Sequence, residues 1–142
     1  MKCAEQNEVQ VLPVKRENVI RMPSGLLGFE QIKEYVLLSN PEEAPFLWLQ
    51  VLGDPGLAFL VISPFVIRPD YRPDVPDEDA RTLELQSPQD ALVLNIVTLR
   101  NGGQATVNLK GPIIVNQRTL VAKQVIPSNA AEYDLRQPLA TS

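Results

Sequence analysis

Thirteen prolines are spread along the whole of this 142-residue chain. A proline inside a helix costs about 3 kcal/mol through a lost hydrogen bond and a ring clash, so long helices are excluded nearly everywhere. What lies between the prolines reads as strands, at residues 9–14, 18–22, 35–39, 46–52, 57–62, 91–99, 104–109, 113–115 and 120–126. Several of these, FLWLQVL and LAFLVI among them, are apolar on both alternating faces, which predicts burial on both sides of a sheet. A parallel sheet would need helical crossovers of a dozen or more residues, and the gaps are too short and too rich in turn residues for that. Asn101-Gly102-Gly103 predicts a hairpin, because these residues tolerate positive φ, and NQRT at 116–119 predicts a second. The expected fold is mainly β: one compact, antiparallel, β-barrel-like domain over residues 1–142, with at most one or two short helices. A helix is expected at 77–85, with Asp74 as its N-cap and the acids that follow at the positive end of its dipole.

A domain of this length buries roughly two thirds of the surface its unfolded chain exposes, so no disulfide or metal is needed to hold it. The one cysteine, Cys3, has no partner cysteine or histidine, which excludes an intrachain bridge and a zinc site. It lies in the polar stretch MKCAEQNE, and residues 1–8 are expected to form a flexible leader. That stretch lacks the apolar centre of a signal peptide, and no apolar run approaches the ~20 residues that span a bilayer. The expectation is a soluble, cytoplasmic protein with no membrane contact.

The formal net charge of −4 argues against direct binding of nucleic acid, which needs a basic face. Between Asp70 and Asp90 seven acidic residues stand against two basic ones, and the rest of the chain is close to neutral, so this segment carries the imbalance.

Support for an enzyme is thin. There is no histidine, the usual general base near neutral pH and the commonest metal ligand. NLKGPIIVN at 108–116 raises the question of a phosphate loop or a reactive lysine. The order Lys110-Gly111-Pro112 does not fit a phosphate loop, because proline removes an amide where one is needed. A catalytic Lys110 would need a depressed pKa and a converging partner, and no residue is nominated for either. The structural reading is a kink: Gly111, with positive φ, makes a bend or bulge, and Pro112 ends one strand before the next begins. Asp77, Glu78 and Asp79 read as a solvated helix start rather than a metal cluster, and Trp48 as a core residue. No cofactor is expected. The competing class is a small ligand-binding β-barrel or a carboxylate-dependent hydrolase, which would gather Asn95, Asn108 and Lys110 in a pocket.

GLLGFE at 25–30, PFLWLQ at 45–50, LAFLVISP at 57–64, VLNIVTL at 93–99, ATVNLKGPIIVN at 105–116 and YDLRQPL at 133–139 follow one another in an order and spacing that resembles the flagellar assembly factor FliW family. The resemblance implies a compact β-barrel-like binding protein and no enzyme. It implies two partners in the cytoplasm: newly made flagellin, and the RNA-binding translational regulator CsrA. Flagellin would occupy the protein, and its export would free the protein to bind CsrA beside the RNA surface and lift repression of flagellin mRNA. The candidate CsrA contacts are Asp70, Asp74, Asp77, Glu78, Asp79 and Glu84, whose charge would repel incoming phosphate. For flagellin, the candidates near turns and the end of the chain are Phe65, Val66, Tyr71 and Tyr133, offered as an apolar patch, a sheet edge or a groove.

Overall fold

The computed structural model describes residues 1–3, 18–54 and 56–139. Its strands are β1 (Ile20–Arg21), β2 (Glu34–Ser39), β3 (Phe46–Val51), β4 (Ala58–Ile62), β5 (Ala91–Leu99), β6 (Ala105–Val107), β7 (Ile113–Asn116), β8 (Ala122–Gln124) and β9 (Gln137–Pro138), with one helix, α1 (Asp77–Thr82), between β4 and β5. The strand expected at 9–14 lies outside the described residues. Every described proline but one falls outside the strands, and that one, Pro138, sits in the edge strand β9, where a missing N–H is tolerated.

All the strand pairs are antiparallel. β1, β2, β3, β4 and β5 lie side by side, and β5 then serves two further neighbours: residues 91–94 pair with β7, and residues 97–99 pair with β6. β8 follows β7, and a parallel bridge from Val121 to Arg21 brings the sheet back to β1. The Arg21 N–H donates to the Leu120 carbonyl at 2.9 Å there. The result is a curled sheet, a half-barrel closed along one seam. Both expected hairpins form, Asn101-Gly102 turning β5 into β6 and residues 117–119 turning β7 into β8.

The curl explains why β5 reads as apolar on both faces. Leu92 and Leu94 point into the barrel with Ile20, Leu37, Leu49 and Val115. Ala91, Val93 and Val97 point the other way, into a second core with Val75, Leu83 and Leu109. The long connection from β4 to β5, including α1, covers that outer face as a lid of apolar side chains. In β3 the expectation holds on one face only: Leu47, Leu49 and Val51 are buried, while Phe46, Trp48 and Gln50 are half-buried. Trp48 is therefore a flanking residue and not core, and its indole N–H reaches Glu43 at 3.5 Å.

α1 is shorter than expected, because Glu84 turns to φ 55° and ends it. Asp74 does not cap it. The N-cap is Pro76, and Asp74 is held by the amino terminus at 3.4 Å and, through its own N–H, by Asn129 Oδ1 at 2.8 Å. Met1–Cys3 is likewise held: Val75 N–H donates to the Met1 carbonyl, Cys3 N–H donates to the Pro73 carbonyl, and the Cys3 side chain is buried in the outer core. Residues 4–8 of the leader lie outside the described residues.

Candidate functional site

The acidic segment is much less free than its composition suggests. Asp70 pairs with Arg68 at 3.2 Å, Asp90 with Arg118 at 3.2 Å, and Asp79 with Lys123 at 2.6 Å. The Arg68 guanidinium holds the Asp70 carboxyl below its usual range and lies over the Tyr133 ring at 5.3 Å. The Gln86 N–H, then Arg118 and the Ser87 N–H, hold Asp90 low as well. With Asp74 on the amino terminus, the side chains of Asp77, Glu78 and Glu84 are left without a partner among the described residues. Asp77 and Glu78 lie exposed on the first turn of α1, and Glu84 just beyond its end, so the segment's unpaired carboxylates share one short ridge with the exposed Arg81.

That ridge is fastened to the sheet by a residue that sequence reasoning passed over. Asn116, 0% exposed, donates from Nδ2 to the Leu83 carbonyl at 2.7 Å, while its Oδ1 accepts the N–H groups of Arg118 and Thr119 in the β7–β8 turn. One asparagine thus ties the end of α1 to the hairpin. Asparagine in a turn motif was the only signal available in the sequence; its second set of bonds comes from 33 residues away.

Most of the polar groups a ligand pocket would need are occupied; the exception is Asn95 Oδ1, buried with no hydrogen-bond partner among the described residues. Asn95 donates to the Asn108 carbonyl at 2.7 Å, Asn108 Oδ1 accepts the Lys110 N–H at 2.9 Å, and Lys110 Nζ donates to the Ala130 carbonyl at 2.9 Å. Lys110 is a strut between the bend and the last segment of the chain. The bend itself lies between β6 and β7, where Pro112 gives up no ladder donor and its carbonyl accepts the Val125 N–H. Gly111 does not adopt the expected positive φ. Its requirement is space: a Cβ there would lie 3.1 Å from both Asn108 Nδ2 and Gln124 Nε2. Among the described residues no three His, Cys, Asp or Glu side chains gather as a metal cluster, and no helix is long and apolar enough to cross a membrane.

Three of the four apolar candidates belong to the core. Phe65, Tyr71 and Tyr133 are 7%, 0% and 8% exposed, the Tyr71 and Tyr133 rings meet edge to face at 4.6 Å, and the Tyr71 hydroxyl donates to the Leu109 carbonyl at 2.7 Å. Burial pushes the Tyr71 phenol above its ordinary range. The loops that carry these rings fold over the outer face of β5 and β6, so nearness to turns in sequence does not bring exposure. Only Val66, 57% exposed, reaches the surface. It lines a groove of about 310 Å³ at the end of β2, β3 and β4, together with Pro41, Ala44, Pro45, Phe46, Leu47 and Ser63.

The fold and these surfaces define a class: a curled antiparallel half-barrel with a helical lid, an acidic ridge and an apolar groove. A solved structure described as a crystal structure of the flagellar assembly factor FliW has the same architecture, with a TM-score of 0.77 and 29% identity over 98% of this chain and 95% of that one. The family described as FliW protein matches residues 3–139. A flagellar assembly factor FliW of Treponema denticola is 41% identical over 117 residues, 82% of this chain and 79% of its own. One of Leptospira interrogans is 33% identical over 142 aligned positions, 95% of this chain and 94% of its own. The chain belongs to the FliW family.

Proposed function

We propose that this chain is a flagellar assembly factor that works in the cytoplasm by binding two proteins in turn. While flagellin is abundant, flagellin occupies it. When flagellin is exported, the freed protein binds the translational regulator CsrA and relieves repression of flagellin mRNA. The observation that carries this reading is membership of the FliW family over nearly the whole chain, with relatives named as flagellar assembly factors.

The physical support for the CsrA arm is the pattern of pairing in the acidic segment. Asp77, Glu78 and Glu84 have no ion-pair partner among the described residues, because Arg68, Arg118 and Lys123 are taken by the neighbouring acids, and the exposed Arg81 of α1 offsets only part of their charge. Carboxylates held beside a basic RNA-binding surface oppose the electrostatic attraction that dominates RNA affinity, over a range of about 10 Å at 0.1 M salt. The test is to measure binding of purified flagellin and of CsrA separately, with release of CsrA-bound flagellin leader RNA as a second readout. The expected result is binding of both and release of the RNA. A protein that binds flagellin yet leaves CsrA and its RNA untouched would reduce the reading to a flagellin chaperone, and one that binds neither would overturn it.

A further inference from the structure

The groove between the 3-10 turn Pro41–Glu43 and the 3-10 turn Pro64–Val66 shares no lining residue with the acidic ridge, and two features indicate what it takes. Its walls are apolar, and at about 310 Å³ it stands at the small end of ligand sites, with room for one or two side chains. The second feature is charge. From Glu34 through Ile67 the chain contains no lysine or arginine, whereas Glu42 and Glu43 stand exposed on the rim. A field of one sign favours the opposite charge beside whatever enters.

The walls are also set in advance. Pro41 and Pro64 open their turns with fixed φ, and Asn40 Oδ1 accepts the Glu42 N–H at 3.0 Å, so little order remains to be gained on binding. We infer that this groove docks a short peptide segment in which a bulky apolar side chain lies next to a lysine or arginine. Resting on the reading that flagellin is a partner, the occupant is such a segment of flagellin.

The experiment titrates monomeric flagellin, at low and high salt, into the wild-type chain, Val66→Lys, the double variant Glu42→Lys/Glu43→Lys, and Leu99→Lys as a remote exposed control. CsrA binding and self-association are measured on the same samples. Val66→Lys and the double variant are each expected to weaken flagellin binding by about tenfold while leaving CsrA within about twofold, and the double variant to lose most of the salt dependence. Leu99→Lys should match wild type. Glu42 and Glu43 are exposed, so the double variant carries the test even if Val66→Lys folds poorly. If wild type binds flagellin and both groove variants bind it equally well, the groove assignment falls and the functional reading stands. A Val66→Lys variant that changes only self-association would make the occupant a second copy and overturn the inference. If wild type binds no flagellin, the functional reading fails and this inference fails with it.

Discussion

A side chain at position 25 has nowhere to go. Gly25 holds φ 67°, and a Cβ there would lie 2.5 Å from the backbone Cα of Glu30, within the folded loop that seats Phe29 against Phe59. At Gly111 the obstacles are two side-chain amides, which are able to move. Gly25→Ala should therefore destabilise by about 2–4 kcal/mol, the left-handed penalty added to a backbone overlap, while Gly111→Val should cost about 1–2 kcal/mol. Urea unfolding of the two variants checks the order; a milder effect at Gly25 would refute it. Cys3 gives a prediction in pH. Burial pushes its thiol up to about 11, against a smaller downward pull from the amino terminus. The unfolded thiol ionises near 9, so the folded form resists ionisation more. Its contribution to stability is whole below pH 9 and is lost as pH rises from about 9 to about 11. The difference in unfolding free energy between wild type and Cys3→Ala should stay constant from pH 6 to about 8.5 and shrink above it. A constant difference to pH 11 would place the thiol in solvent.

On the scale of elements, the acids of α1 divide into two sets. Asp77 and Glu78 are exposed and without an ion-pair partner among the described residues, whereas Asp79, with 15% of its side chain exposed, grips Lys123 of β8 at 2.6 Å. Replacing Asp77 and Glu78 with their amides should weaken CsrA antagonism and its salt dependence while leaving the melting temperature nearly unchanged. Asp79→Asn should instead cost about 1 kcal/mol of stability with little further effect on antagonism. Thermal melts and RNA-release assays on both variants separate the two; equal melting losses would place all three acids in the fold. This division also marks what was legible in the sequence. Prolines, alternation and the two turn motifs disclosed the strands and hairpins, because those signals act between near neighbours. The charge of 70–90 was legible too, but not its partners, since Arg118 and Lys123 arrive from another hairpin. The burial of Phe65, Tyr71 and Tyr133 was hidden for the same reason: a loop laid across the outer face of β5 is core, and only the tertiary fold places it there.

The whole molecule exposes 8123 Å², and a standard interface covers about 800 Å² of each partner, so two proteins fit without sharing area. Opposition between them would then have to pass through the fold. A packed route is present: Val66 stands in the groove, Phe65 beside it meets the Tyr71 ring at 6.1 Å, and the chain from Tyr71 runs directly into α1. Adding flagellin to the preformed CsrA complex should release CsrA, and by linkage CsrA should weaken flagellin binding by the same factor. A stable ternary complex with unchanged affinities would refute that coupling even if both pairwise contacts exist. The seam of the half-barrel has its own consequence, in time. Arg21 meets Leu120 and Val121 about 100 positions later, and closing so long a loop costs about 2 kcal/mol more than closing a ten-residue turn. β2, β3 and β4 pair between near neighbours and need no such closure. The meander should assemble first and the seam last, and the seam should open first in the native state. In deuterated water the amide of Arg21 is accordingly expected to exchange well before that of Leu49.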